Sequence, residues 1–446
     1  MIAIILASLI ATHAVVVPAA VPVQPATGVQ VARPADTSTV TFDVHGLRVI
    51  LRRNTANDVI AANLYLLGGT RQLTPATQGI EWFLMSASEL GTRRYPADRA
   101  RLGMARLGSI VTVIPSEDWT LFGVTCIRST FDSTWSIFAD RVVAPTLDSS
   151  HVELVRQQLL TEVRQEETQP DPLVSHLADS LEFVGHPYSF APEGNAATLQ
   201  SISLRQLRAY HAAQMVTSRM LLVVVGNVDR ATLEPMVART LGRLPRGRYA
   251  WTPPPAPPHL GKTALVKTAQ LPTNYLLGYY AGPMARDPDY QALRVASAVL
   301  SGRFFTEIRS KRNLTYDVDA PFLERAASSG GVYVTTVAPD TTLQLMHTEI
   351  LRLQTELIDP DGLKRLVQQF ITDYFLKNET NGDQATFLAR AAIYQGDYRA
   401  ADHFIDALRR VTPDDVRRVA RRYMHDFRFV YLGNPDRVRR SLFDEF

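Results

Sequence analysis

The sequence predicts an α+β protein built from two tandem homologous domains. The first observation behind this is a break at WTPPPAPPHLGK, residues 251–262, where five prolines crowd between Pro253 and Pro258. Proline fixes φ and removes a backbone donor, so this stretch is neither helix nor central strand but a stiff, extended linker. It separates residues 39–250 from residues 263–446. The second observation is that both parts end alike. SLRQLRAYHAAQMVTSRMLLVVVGNVDRATLE gives a helix capped by Ser203, a strand to Val225 and a Gly-Asn turn. TPDDVRRVARRYMHDFRFVYLGNPDRVRRSLF repeats that order, with Thr412 as cap, Pro413 at the first helical position and a strand to Leu432. The third is that both parts start alike: AANLYLLGGT (61–70) and NYLLGYYAGP (274–283) are apolar strands closing on glycine. A repeated order of strands and helices is the mark of a duplicated unit.

Within the first part, GLRVILRR (46–53) and residues 61–67 read as strands. GIEWFLMSASELGT (79–92) reads as a helix over 77–90, with Ile80, Phe83, Leu84 and Ala87 on one apolar face. Residues 97–106 form a second helix. SIVTVI (109–114) and WTLFGVTC (119–126) pair around Pro115-Ser116-Glu117-Asp118, a hairpin turn by composition. HVELVRQQLLTEVRQEE (151–167) is a long helix whose apolar positions are Val152, Val155, Leu159, Leu160 and Val163.

Composition narrows the function. With 446 residues, 46% of them hydrophobic, the chain can bury sizeable cores. Lys plus Arg number 47 against 44 Asp plus Glu, so a net charge of +3 calls for no nucleic acid. The helix with Arg417, Arg418, Arg421 and Arg422 interleaves them with Val416, Val419, Ala420 and Tyr423, an ordinary amphipathic pattern. The single cysteine, Cys126, excludes an internal disulfide and any cysteine metal site, and its apolar run makes it a small core residue. The ten histidines are scattered, with no HxxxH or HxxE pair, and no G-x-S-x-G elbow occurs.

At the N-terminus, an apolar run from residue 1 to 17 breaks at Pro18. It is shorter than the roughly 20 residues of a membrane span, and Val17-Pro18-Ala19 resembles a signal cleavage site. Residues 1–38 are therefore expected to be an export signal and flexible leader. No Lys or Arg precedes Arg33, so an uncleaved anchor and a misassigned start stand as alternatives. An exported chain without disulfides fits a periplasm.

The order of pieces from about residue 40 onward resembles the insulinase/pitrilysin family of zinc metallopeptidases. GHPY (185–188), SLRQLRAYH (203–211), VVVGNVD (223–229) and GRFFTEIRSKRNLTYDV (302–318) also resemble the family. Its members carry a helix of the form G-L-A-H-F-L-E-H-x-x-x-x-G-T. The i and i+4 histidines share one helix face and grip a zinc ion, and the Glu takes a proton from the metal-bound water. A Glu on a later helix completes the site. Laid on this pattern, GIEWFLMSASELGT keeps Gly79, Phe83, Leu84, Gly91 and Thr92 but has Trp82, Met85 and Ser86 where the two His and the Glu belong. Glu162 stands where the third ligand would be. It is either a relic of that site or part of a solvated acidic face with Glu166 and Glu167. No metal is expected in this chain.

The same resemblance implies that Arg312 and Tyr316, in SKRNLTYDV, reach across towards a zinc site and hold a peptide carbonyl and its oxyanion; the bland alternative is a basic turn beside a core tyrosine. Asn313 replaces a family Gly, and Asn tolerates positive φ better than most residues. The edge candidate for binding an extended peptide is Ile110 to Ile114, where Thr112-Val113-Ile114 departs from the family's Asn-Ala-Thr-like stretch. The expectation is one half of a clamshell: residues 39–250 with a degenerate zinc site, and 263–446 with the Arg/Tyr pair. Each part would be a mainly antiparallel sheet with helices packed on one side. The expected function is the non-catalytic subunit of a heterodimeric peptidase. A homologous HxxEH-bearing partner would supply the zinc, and peptides or unfolded polypeptide would be the substrates. The alternative is a free-standing pseudopeptidase that binds peptides or scaffolds an envelope complex.

Overall fold

The computed structural model describes residues 38–446, so the expected signal and leader lie outside the described residues apart from Ser38. Six strands form the first sheet: β1 (Thr39–Val44), β2 (Leu47–Arg53), β3 (Val59–Leu67), β4 (Ile110–Pro115), β5 (Trp119–Ile127) and β6 (Met220–Gly226). Their order is β1-β2-β6-β3-β5-β4. The β2–β6 pair is parallel and the others are antiparallel. The second sheet holds β7 (Thr263–Thr268), β8 (Asn274–Met284), β9 (Thr315–Asp319), β10 (Phe322–Leu323), β11 (Ala327–Thr336) and β12 (Arg428–Gly433). Its order is β10-β11-β8-β12-β7, with β9 also on β11. Here β12–β7 is the parallel pair.

The sheets are topological copies. β2, β6, β3 and β5 correspond to β7, β12, β8 and β11, with the parallel pair in the same place. The expected likeness of 61–70 to 274–283 is the likeness of β3 to β8. The two Gly-Asn turns follow β6 and β12. Gly226 needs to be glycine, because a Cβ there would lie 2.9 Å from the Ile60 backbone and its φ is +150°. The helix starts are written in the chain as well: Ser203 with Gln206, and Thr412 with Asp415, form reciprocal capping boxes.

Each sheet packs one face on helices of its own half. In the first, Val49, Leu64, Phe122 and Val224 join the helices Ile80–Ala87, Phe131–Val143 and Ser149–Thr168 in one core. In the second, Leu276, Val334, Phe429 and Tyr431 join Asp289–Phe304, Pro339–Thr355 and Pro413–Tyr423. The opposite faces are covered by exchange. Helix Asn381–Tyr394, from the second half, lays Ala385, Leu388 and Ala392 on Ile50, Tyr65, Val223 and Val225 of the first sheet. Helix Pro170–Glu182, from the first half, lays Val174 and Ala178 on Leu277, Tyr279 and Val430 of the second. This is why β6 is buried along its whole length and shows no alternation. A fully buried leucine such as Leu388 stabilises the contact by about 2 kcal/mol.

A polar hub ties the halves together. The residue read as a turn former, Asp118, is 1% exposed. Its carboxylate accepts from Tyr188 Oη (2.6 Å), Tyr394 Oη (2.7 Å) and the Ala326 N–H (2.9 Å). Beside it, Arg325 donates to both oxygens of Asp179 (2.7 and 2.9 Å) and pairs with Glu117 (2.7 Å). The linker is pinned as well. His186 Nε2 bonds Pro255 O (3.1 Å), and the Arg71 guanidinium lies 4.4 Å from the Trp251 ring centre. The Arg-rich helix has a structural use: Arg418 (2.6 Å) and Arg422 (2.9 Å) hold the buried carboxylate of Asp289.

Candidate functional site

The helix that follows β3 is Ile80–Ala87, one turn shorter at each end than the expected 77–90. Gly79 caps it with φ +81°, and a Cβ there would meet Glu193 O at 2.4 Å. Ile80, Phe83, Leu84 and Ala87 face the core as expected, and Met85 joins them at 1% exposure. Trp82 and Ser86, one turn apart, form the partly exposed face. Against the helix lie β4 and the helix Ser149–Thr168, which carries Glu162 on its exposed side. Burial and the Glu166 carboxylate push the Glu162 carboxyl up.

These residues do not fit a zinc ion. Trp82 offers a ring N–H and no lone pair, Met85 is in the core, and a serine hydroxyl with one carboxylate is too weak a set. Among the described residues, no three His, Cys, Asp or Glu side chains gather as a metal site would need.

The helix is anchored from behind by an ion pair that sequence reading missed. Fully buried Arg219 reaches Glu81 Oε2 at 2.6 Å and donates from Nε to Leu67 O at 2.7 Å. Tyr210 Oη donates to the same Glu81 oxygen at 3.0 Å. The signal was available: a charged residue immediately before the apolar run MLLVVVG must be paired when buried.

In the second half, helix Asp289–Phe304 runs into a π-helical turn, Phe305–Ser310, closed by Lys311 N–H to Thr306 O at 3.0 Å. Such wide turns are frequent at functional sites. Asn313 then takes φ +52°, the left-handed conformation expected for it. Tyr316 follows on β9, 84% exposed, and no hydrogen bond to its hydroxyl is formed among the described residues. The guanidinium beside Tyr316 is that of Arg309, 5.2 Å from the Tyr316 ring centre and 5.2 Å from that of Phe305.

Arg312, the arginine expected to act with Tyr316, is bonded within its own turn. Its Nη1 donates to Glu307 O (2.6 Å) and Glu307 Oε2 (2.9 Å). Lys311 reaches the same carboxylate at 2.6 Å. The bonds from Lys311 and Arg312 hold the Glu307 carboxyl below its ordinary range. Arg312 thus lies against Glu307, and Arg309 lies over the Tyr316 ring.

The edge strand read from the sequence is an edge. β4 ends the first sheet, and Ile110 and Ile114 are 67% and 51% exposed on it. Its free backbone groups are of the kind that an added strand pairs with.

Two domain families match this chain. The one described as Insulinase (Peptidase family M16) covers residues 48–188, and the one described as Peptidase M16 inactive domain covers residues 201–370. The second match begins within the first half, ahead of the proline linker. Mitochondrial-processing peptidase subunit beta of Blastocladiella emersonii is 23% identical over 408 residues, 86% of this chain and 85% of that one. A protease from Helicobacter pylori superposes with a TM-score of 0.82 at 18% identity, covering 89% of this chain and 99% of that one. A peptidase M16 inactive domain from Pseudomonas fluorescens gives 0.81 at 20% identity, covering 89% and 98%. The chain thus has the fold of one clamshell half, and from its two domain matches and the order of its elements it belongs to the insulinase family of peptidases, family M16.

Proposed function

We propose that this chain is the metal-free subunit of a two-chain peptidase. A homologous partner with an HxxEH helix would hold the zinc, and this chain would close the chamber and reach into the partner's site with Tyr316 and Arg312, Arg309 lying over the Tyr316 ring and Arg312 turning from Glu307 as the two chains meet. The observation that carries this reading is the contrast between two places in one molecule. The zinc-helix face holds Trp82 and Ser86, whereas the second half presents an exposed phenol with a guanidinium on its ring. Phenol O–H and guanidinium N–H groups donate hydrogen bonds, which suits a peptide carbonyl that gains negative charge as it becomes tetrahedral. The exposed edge β4 supports extended peptide or unfolded polypeptide as the substrate class. Zinc bound by the partner would supply the activated water. Export to the periplasm belongs to the same proposal, supported by the apolar N-terminal run and by the single cysteine, which excludes an internal disulfide.

The test is hydrolysis of a quenched extended peptide with zinc present, by this chain, by the HxxEH chain, and by both together. Activity only in the mixture is the expected result. Zinc-dependent activity of this chain alone would overturn the reading of Trp82, Met85 and Ser86. A mixture no more active than the HxxEH chain alone, with peptide still bound by this chain, would favour a scaffold.

A further inference from the structure

The arginines of helix Pro413–Tyr423 are engaged by carboxylates: Arg417 holds Asp414 (2.7 Å), and Arg418 and Arg422 hold Asp289. A second group of arginines is not. It surrounds the β1–β2 turn at one end of the first sheet, where the loop 240–248 is seated. His45 Nδ1 bonds Gly242 O (2.9 Å), and Thr217 Oγ1 donates to His45 O (2.7 Å). The Thr217 and Ser218 N–H groups donate to Pro245 O and Arg246 O, both at 2.9 Å. A Cβ on Gly46 would lie 2.9 Å from Arg246 Cγ. Arg48, Arg243, Arg246 and Arg248 are all exposed. Among the described residues, none of these four guanidinium groups has an ion pair or a hydrogen bond. The segments 39–53, 215–221 and 236–252 carry one carboxylate, Asp43, whose Oδ1 accepts from the Gly46 N–H (2.8 Å). The carboxylates of the adjoining helices have other partners. Asp229 accepts from the Thr232 N–H (2.8 Å), Glu234 holds Arg230 (2.7 Å), Asp132 faces Arg128 (3.8 Å) and Asp140 accepts from the Arg94 N–H (3.2 Å).

We propose that this patch binds the phosphate headgroups of an anionic lipid surface. A guanidinium fork pairs with two phosphate oxygens by parallel charge-assisted bonds. The four arginines form such bonds without giving up a contact, and the backbone bonds that fix the loop limit the order lost on binding. All four are exposed, which suits a charged surface better than one small anion. The apolar run over residues 1–17 is the sequence feature of a chain that meets a membrane. An apolar segment and a basic patch together hold a protein at a lipid surface better than either alone. The proposal is independent of any partner chain.

The test is co-sedimentation of the full chain with vesicles of phosphatidylcholine, alone or with one third phosphatidylglycerol. The neutral vesicles measure what the apolar run contributes. Phosphatidylglycerol should tighten binding about 100-fold or more at low salt, about fivefold for each arginine near the surface, and about 0.5 M salt should remove most of that gain. Arg243→Gln, Arg246→Gln and Arg248→Gln together should lose about 100-fold of it. Arg410→Gln, Arg421→Gln and Arg437→Gln, an equal change in net charge at exposed arginines of the second half, should together lose less than about twofold. Equal losses in the two triple variants, or equal binding to the two kinds of vesicle, would overturn the proposal. So would release from the anionic vesicles by inorganic phosphate at constant ionic strength, which would make the patch a site for free phosphate. Tighter binding of polyglutamate than of the anionic vesicles would overturn it as well, in favour of an acidic polypeptide.

Discussion

At the scale of single residues, the helix Ile80–Ala87 shows what environment each of its positions meets. Met85 is packed in the core, so Met85→Glu places an unpaired carboxyl there. It should destabilise the fold by about 3 kcal/mol, read as a shift in the urea midpoint. An unchanged midpoint would mean that this helix face is open. Arg309 and Arg312 separate in the same way. In the two-chain mixture Arg312→Ala should lower kcat more than Arg309→Met, because Arg312 would reach the partner's site and Arg309 lies over the Tyr316 ring; the reverse order would move the role to Arg309. Glu182 gives a pH prediction. Burial pushes its carboxyl up to about 8, with Arg428 opposing and Asp179 adding to the rise, and its Oε2 has no partner. The folded chain keeps a proton that the unfolded chain releases near 4.5. Stability from this group is therefore present below about pH 4.5 and lost as pH rises to about 8. Glu182→Gln should gain stability over the parent between pH 5 and 8.5, measured by denaturation at both. An equal difference at the two pH values would sink this assignment.

At the scale of elements, much was legible. The capped helices at Ser203 and Thr412 and the strands closing on Gly-Asn follow from local chemistry, and the edge position of β4 from the family resemblance. Asn313 was legible too, as a residue that tolerates φ > 0. Asn313→Gly should therefore be nearly neutral, whereas Asn313→Val should cost about 1–2 kcal/mol in a β-branched left-handed turn. Equal stability of both variants, by thermal or urea denaturation, would contradict the strained turn. The π turn Phe305–Ser310 was not legible, because its extra residue per turn leaves no mark in the apolar spacing. Nor did the sequence reveal which sheet the helices Pro170–Glu182 and Asn381–Tyr394 cover. Val174, Ala178, Leu388 and Ala392 define an apolar face, and an apolar face fits any apolar surface.

At the scale of the whole molecule, the exchanged helices and the Asp118 hub make the two halves one body. Asp118→Ala leaves two buried phenols and a buried N–H without their acceptor, so it should cost about 3–5 kcal/mol, measured by urea denaturation. A change below 1 kcal/mol would mean that the hub is incidental. A rigid half of this kind suits a chain that presents one tyrosine to another molecule. The most direct measurement is kcat and KM for peptide hydrolysis by the two-chain mixture carrying Tyr316→Phe. The account predicts a fall in kcat of about 100-fold with little change in KM, the loss expected for one oxyanion donor. An unchanged kcat would contradict it.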